Sequence, residues 1–134
     1  MPEPSDAVVP DSHADLLGAT VIAHLATVGP SGEPHSTPVW FDWDGRRVAF
    51  STTTRRQKYR NVRRNPAVAV SIVDPANPYR YLELRGRATI SDDPGNAFID
   101  AMARKYLGED AYPFDQPGDE RVVISFVPEQ ASYQ

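Results

Sequence analysis

The chain has 134 residues, a formal net charge of −4 and 24% charged side chains, which suits one domain, residues 1–134, with a single modest core. It contains no cysteine, which excludes disulfides, thiolate metal sites and thiol nucleophiles. No apolar run reaches the ~20 residues a membrane-spanning helix needs, and the acidic balance disfavours nucleic acid as a partner.

Residues 1–10 read as a flexible lead-in. The start is acidic and proline-bearing (Pro2, Glu3, Pro4, Asp6) rather than basic, which fits a cytoplasmic protein without a secretory leader. Asp11 or Ser12 is placed to cap a short helix through Leu16 and Leu17 that ends at Gly18. Residues 21–28 form a largely apolar run and predict a buried strand, which makes His24 a core or edge histidine. Gly29-Pro30-Ser31-Gly32 is a turn by composition. Residues 35–43 continue as a second strand, with Val39 and Phe41 on one face and Trp40 on the other. Pro38 cannot donate to a ladder, so it predicts an edge, a bulge or a place where a ligand meets the backbone. Asp44-Gly45 signals a hairpin into a third strand over 46–51.

A hydroxyl-rich turn follows, Thr52 to Thr54, whose oxygens could cap the next helix. That helix carries Tyr59 and Val62 on one face and stops at Asn65-Pro66. Residues 67–73 are apolar and β-branched, and Asp74 to Pro78 is a tight connection. Residues 79–90 then alternate, with Leu82, Leu84 and Ala88 on one face and Tyr79, Tyr81 and Glu83 on the other. Asp93-Pro94 starts a helix whose apolar stripe is Phe98, Met102 and Tyr106, with Ile99 and Leu107 alongside, and which runs to Gly108. A loop rich in Asp, Pro and Tyr spans 109–120, residues 121–127 make a last strand, and 128–134 trail. The sum is six strands joined mostly by short turns, with helices attached rather than alternating. That predicts a mainly β fold with helical additions, a six-stranded antiparallel split β-barrel.

One stretch reverses the overall charge. Between Gly45 and Val73 there is no acidic residue, and eight of the fourteen basic residues fall there. Four of them, Arg55, Arg56, Lys58 and Arg60, follow a strand-turn-helix junction. A helix N-terminus attracts phosphate, and guanidinium groups grip its oxygens. The junction therefore predicts an anion site. Self-sufficient catalysis is not legible: the three histidines lack metal-ligand spacing, no serine sits in a nucleophile elbow, and no Gly-x-Gly-x-x-Gly or Walker loop occurs. An enzyme built this way needs a cofactor to supply the reactivity, and no catalytic side chain is assigned.

The runs His24-Leu25-Ala26-Thr27, Pro34-His35-Ser36-Thr37-Pro38-Val39 and Thr53-Thr54-Arg55-Arg56-Gln57-Lys58 resemble the pyridoxamine 5'-phosphate oxidase-like split β-barrel superfamily, the FMN-binding split-barrel type. Val73-Asp74-Pro75-Ala76-Asn77-Pro78-Tyr79 resembles its branch that uses the deazaflavin coenzyme F420. The resemblance implies an F420-dependent oxidoreductase that transfers a hydride to a small conjugated substrate. Its alternatives are an FMN-binding oxidoreductase of the same fold, or a non-catalytic flavin- or deazaflavin-binding protein. It implies a homodimer with cofactor sites at the interface. Arg56 and Lys58 match the phosphate-binding pair, and Ser51 and Thr52 match the strand end beside the phosphate or ribityl chain. His35, Pro38 and Val39 match the strand lining the ring system, and Asn61 matches a polar position of the helix. Pro78 and Tyr79 would come from the other subunit. The family's vitamin B6 oxidases carry a C-terminal Arg and Trp for the substrate; the last residues here are Ser132-Tyr133-Gln134, so that activity is not expected.

Overall fold

A computed structural model describes residues 8–134. Residues 1–7 of the lead-in expected over 1–10 lie outside the described residues. Within them, strand β1 (Ala23–Val28) lies between β2 (Pro34–Val39) and β5 (Ala67–Asp74). β5 pairs with β6 (Asn77–Arg87), and β6 with β9 (Gln130–Tyr133). A second sheet has the order β3 (Asp42–Trp43), β4 (Val48–Thr53), β8 (Arg121–Phe126), β7 (Thr89–Asp92). Every pairing is antiparallel.

The architecture is mainly β, as the sequence predicts, but it is two sheets of five and four strands rather than a six-stranded barrel. Three local causes account for the difference. The strand expected over 35–43 breaks because Phe41 sends its backbone bonds to a helix: its N–H donates to Tyr106 Oη at 3.2 Å and its carbonyl accepts from Lys105 Nζ at 3.0 Å. The strand expected over 79–90 breaks at Ala88, whose N–H donates to Pro66 O at 2.8 Å. The tail expected to trail instead becomes β9, pairing Gln130 to Tyr133 with Arg85 to Leu82. An unpaired edge on β6 recruits that segment, whatever its weak intrinsic preference.

Alternation along the strands builds the core. Val48 and Phe50 of β4 face Val122, Ile124 and Phe126 of β8, and all five are buried. Leu25, Val70, Ile72, Leu82 and Leu84 complete the cluster from the larger sheet. Alternate residues of β1 turn outward, which places His24 on its exposed side rather than in the core. Gly86 lets the two sheets approach closely. A Cβ there would lie 2.7 Å from the Phe126 ring and 2.8 Å from Val127 O.

Three helices decorate the sheets among the described residues. In α1 (Asp15–Gly18) Leu16 and Leu17 are buried, but neither Asp11 nor Ser12 caps it. Asp11 opens a 3-10 turn instead, and Ser12 Oγ bonds to His13 Nδ1 at 2.7 Å. Helix α2 (Gln57–Arg64) stops before Asn65-Pro66 as expected, and buries Val62. Its N-cap is Arg56 with no side-chain cap bond, because Thr52 and Thr53 are still in β4. Helix α3 (Ala97–Leu107) has Asn96 at its N-cap, and Asp93, ahead of the intervening 3-10 turn, accepts with its carboxylate from the first-turn N–H groups of Phe98 (2.8 Å) and Ile99 (3.0 Å). Its buried face is Ile99, Met102 and Ala103, the first two of them in the predicted stripe, whereas Leu107 is exposed. Tyr106 stays half-buried because its hydroxyl must reach polar partners at the Phe41 corner. No helix is long and apolar enough to cross a membrane among the described residues.

Gly86→Ala forces a side chain against ring and backbone together, so it is expected to lower stability by ~1–3 kcal/mol. Gly18→Ala, which meets nothing within 4 Å, should stay within ~0.5 kcal/mol of the parent. Urea denaturation midpoints measure both, and equal midpoints would contradict the close approach.

Candidate functional site

The charge-reversed junction opens onto two cavities of about 370 and 380 Å³ whose walls share Pro38, Arg56 and Lys58. The end of β4 supplies Ser51, Thr52 and Thr53 to the first, and the end of β2 supplies Val39 and the following Trp40. Ile99 and Met102 of α3 close it, with Ile22, Tyr112 and Arg121 completing the wall. The second takes His35 and Thr37 from β2 and Gln57 from α2. β2 is an edge strand of its sheet, which is how Pro38 is tolerated there without a lost ladder bond.

Two electrical facts set the junction apart. The side chains of Arg56 and Lys58 have no ion-pair or hydrogen-bond partner among the described residues. The other cations of residues 55–64 are engaged. Arg55 pairs with Asp119, Arg60 donates to Arg55 O at 2.7 Å, and Arg64 donates to Asn61 Oδ1 at 3.2 Å. Arg63 lies over the Tyr59 ring. Burial pulls the Lys58 ammonium below the usual lysine range, and the neighbouring Arg56 charge adds to the shift.

The second fact concerns unmet hydrogen bonds. Among the described residues, three buried side-chain polar atoms have no partner: His35 Nδ1, Thr37 Oγ1 and Thr53 Oγ1. All three belong to residues of the cavity walls. A buried polar atom without a partner costs ~1–3 kcal/mol. These atoms belong to walls that also hold two uncompensated cations, and partners for them would have to come from outside the chain.

The structure thus brings together seven of the residues singled out from the sequence: His35, Pro38, Val39, Ser51, Thr52, Arg56 and Lys58. It does not bring Asn61 to either cavity. Asn61 is fully buried, donates to Thr27 Oγ1 at 3.0 Å and accepts from Gln57 at 2.8 Å, so its bonds pin α2 to β1. Pro78 and Tyr79 are exposed at the β5–β6 turn and line neither cavity of their own chain. Sequence reasoning passed over Thr53, Tyr112 and Arg121 as site residues. The pairing Thr53↔Arg121 between β4 and β8 is what carries Arg121 to the cavity, and no local signal announces it. No group of three or more His, Cys, Asp or Glu among the described residues could hold a metal ion.

The sequence pattern of the pyridoxamine 5'-phosphate oxidase family matches residues 9–134. The chain belongs to that family. A solved structure described as an F420 reductase superposes on it with a TM-score of 0.84 and 45% identity, covering 94% of this chain and 100% of that one. A conserved hypothetical protein of Mycobacterium tuberculosis superposes with a TM-score of 0.74 at 26% identity, covering 99% of this chain and 89% of that one. Over 62 residues the chain is 42% identical to the 5a,11a-dehydrotetracycline/5a,11a-dehydrooxytetracycline reductase of Streptomyces rimosus. That match covers 43% of this chain and 44% of the relative, so it spans less than half of either. The cavity of this family member is thus set in a framework that it shares with the F420 reductase along almost its whole length.

A partly buried lysine whose folded pKa lies below the ordinary 10.5 destabilises the folded state at every pH where it is charged. The penalty is full below the folded value and fades as pH rises towards the unfolded one. Lys58→Met is therefore expected to raise the thermal midpoint of the ligand-free protein at neutral pH, with the gain shrinking towards pH 10.5. It should also abolish any rise in midpoint produced by inorganic phosphate. Differential scanning fluorimetry over that range reads both effects, and a lowered midpoint at neutral pH would contradict the assignment.

Proposed function

We propose that this member of the pyridoxamine 5'-phosphate oxidase family is an oxidoreductase that uses coenzyme F420 to reduce a small conjugated organic substrate. The observation that carries the reading is the pairing of Arg56 and Lys58, without acidic partners, with three orphaned polar atoms in the same cavity walls. These residues fit a phosphate on a polar chain. Near-complete coverage by an F420 reductase at 45% identity favours the deazaflavin. The partial likeness to a reductase of dehydrotetracyclines supports a conjugated ring as acceptor.

In this reading Arg56 and Lys58 grip the phosphate, and Ser51 and Thr52 meet the ribityl chain. His35, Thr37 and Thr53 offer hydrogen bonds that the protein leaves unmade. Pro38 and Val39 wall the ring system, and Ile99 and Met102, both 4% exposed, keep water from it. The bound coenzyme supplies the hydride. The chain supplies orientation and a dry, positively charged cradle. The reading includes a homodimer, in which the exposed turn bearing Pro78 and Tyr79 of a second copy completes the cavity; Tyr79 is 79% exposed in the single chain.

Removing one charge-assisted hydrogen bond is expected to cost ~1.5–3 kcal/mol, or ~10–100-fold in affinity. Arg56→Ala and Lys58→Ala should each weaken F420 binding by that factor in a fluorescence titration. Unchanged affinity in both variants overturns the phosphate assignment. Parallel titration with FMN tests the coenzyme: tight FMN binding without F420 binding would replace one flavin with the other. Sedimentation of a monomer at micromolar concentration would remove the second copy from the site.

A further inference from the structure

Arg121 lines the first cavity and its side chain is only 11% exposed. Its guanidinium is held in place from two sides. Nε donates to Asp115 Oδ1 at 2.9 Å, and the group lies 4.5 Å from the centroid of the Tyr112 ring. Asp115 is itself anchored, because its other oxygen accepts from Asn96 Nδ2 at 3.1 Å. Asn96 in turn sits at the start of α3 with a left-handed backbone, φ 59°.

What remains of the guanidinium is under-used. A guanidinium has five N–H donors. Here Nη1 meets only Ser51 Oγ, at 3.4 Å, and Nη2 makes no hydrogen bond among the described residues. Opposite the polar end of the cavity, which holds Ser51, Thr52, Thr53, Arg56 and Lys58, the wall is apolar and aromatic. Trp40 meets Tyr112 edge-on at 6.0 Å, and Ile22, Ile99 and Met102 line the same cavity.

The charge environment separates Arg121 from the phosphate pair. Arg56 and Lys58 face no carboxylate, so they suit a dianion, whereas Arg121 already has Asp115 beside it. A neutralised but donor-rich guanidinium suits a polarised oxygen rather than a full phosphate. We propose that Arg121, with Tyr112 and Trp40, forms a substrate subsite that receives a carbonyl or enolate oxygen carried on a flat ring. The subsite rests on the coenzyme reading only for the ring's role as acceptor. Its position follows from the β4–β8 register, which sets Arg121 beside Thr53 and so beside the coenzyme end of the cavity.

The competing role is mechanical: through Asp115, Arg121 ties the 109–120 loop to β8. Titrating the whole chain with the hydroxynaphthoquinone lawsone, a flat ring with an ionised oxygen, and following tryptophan fluorescence, separates the two roles. The expected result is saturable binding by the parent and a Kd raised at least ~10-fold in Arg121→Gln, with F420 affinity held within ~2-fold. Arg121→Lys keeps the charge beside Asp115 but loses the planar fork, and should fall between. The subsite is overturned if the parent shows no saturable binding, or if Arg121→Gln binds lawsone like the parent. It is overturned equally if lawsone and F420 affinities fall together with the thermal midpoint, since that is the signature of a strut. A parent that binds lawsone but not F420 would sink the coenzyme reading and leave the subsite standing.

Discussion

The cavity depends on where one residue sends its backbone bonds. Phe41 is fully buried, yet its N–H and carbonyl are bonded by Tyr106 and Lys105 of α3 rather than by a neighbouring strand. Tyr106 also donates to Val21 O at 2.7 Å, so a single hydroxyl fastens the helix to two segments of chain. Trp40 stacks on the same ring at 5.2 Å, with the planes 9° apart. The strand ends there because its ladder groups are taken, and the helix ends up where Ile99 and Met102 can roof the cavity. Had Phe41 stayed in a ladder, α3 would have lost this anchor. Buried backbone groups must be bonded somewhere, and this choice of partners creates the enclosed space.

Charge is distributed with the same economy. Most cations of the 55–64 segment are bound to local acceptors or rings, which fixes α2 and the loop opposite it. Two are left without a counter-charge, one of them partly buried at a cost visible in its lowered pKa. Such a local conflict is tolerated in native proteins where it serves a ligand. Asn61 shows the opposite case, a polar group buried completely and satisfied by its neighbours, so that it contributes position rather than affinity.

What could be read from the sequence was what is local. The alternation in 79–90, the Asn65-Pro66 stop and the acid-free basic segment each have their cause within a few residues, and each is found in the structure. The choice of Arg56 and Lys58 as the proposed phosphate pair came from likeness to a family, since composition alone does not separate them from Arg55 or Arg60. What was not legible is what needs a distant partner. Thr27 satisfies Asn61 from 34 positions away, Ser51 meets Arg121 from 70, and Tyr106 reaches Phe41 from 65. β9 exists because β6 has a free edge, and His24 is exposed because the other face of β1 is the one the core takes.

The three unpartnered atoms have a bearing beyond recognition. A chain that buries polar groups without bonding them keeps an internal debt, and a ligand that cancels it binds the folded state alone. Such a ligand at ~100 times its Kd adds ~2.7 kcal/mol to the unfolding free energy, a large fraction of what a small domain possesses. Where proteases remove unfolded molecules, the share that survives would then follow the supply of that ligand. Scarcity of the ligand would mean less of the protein as well as emptier protein.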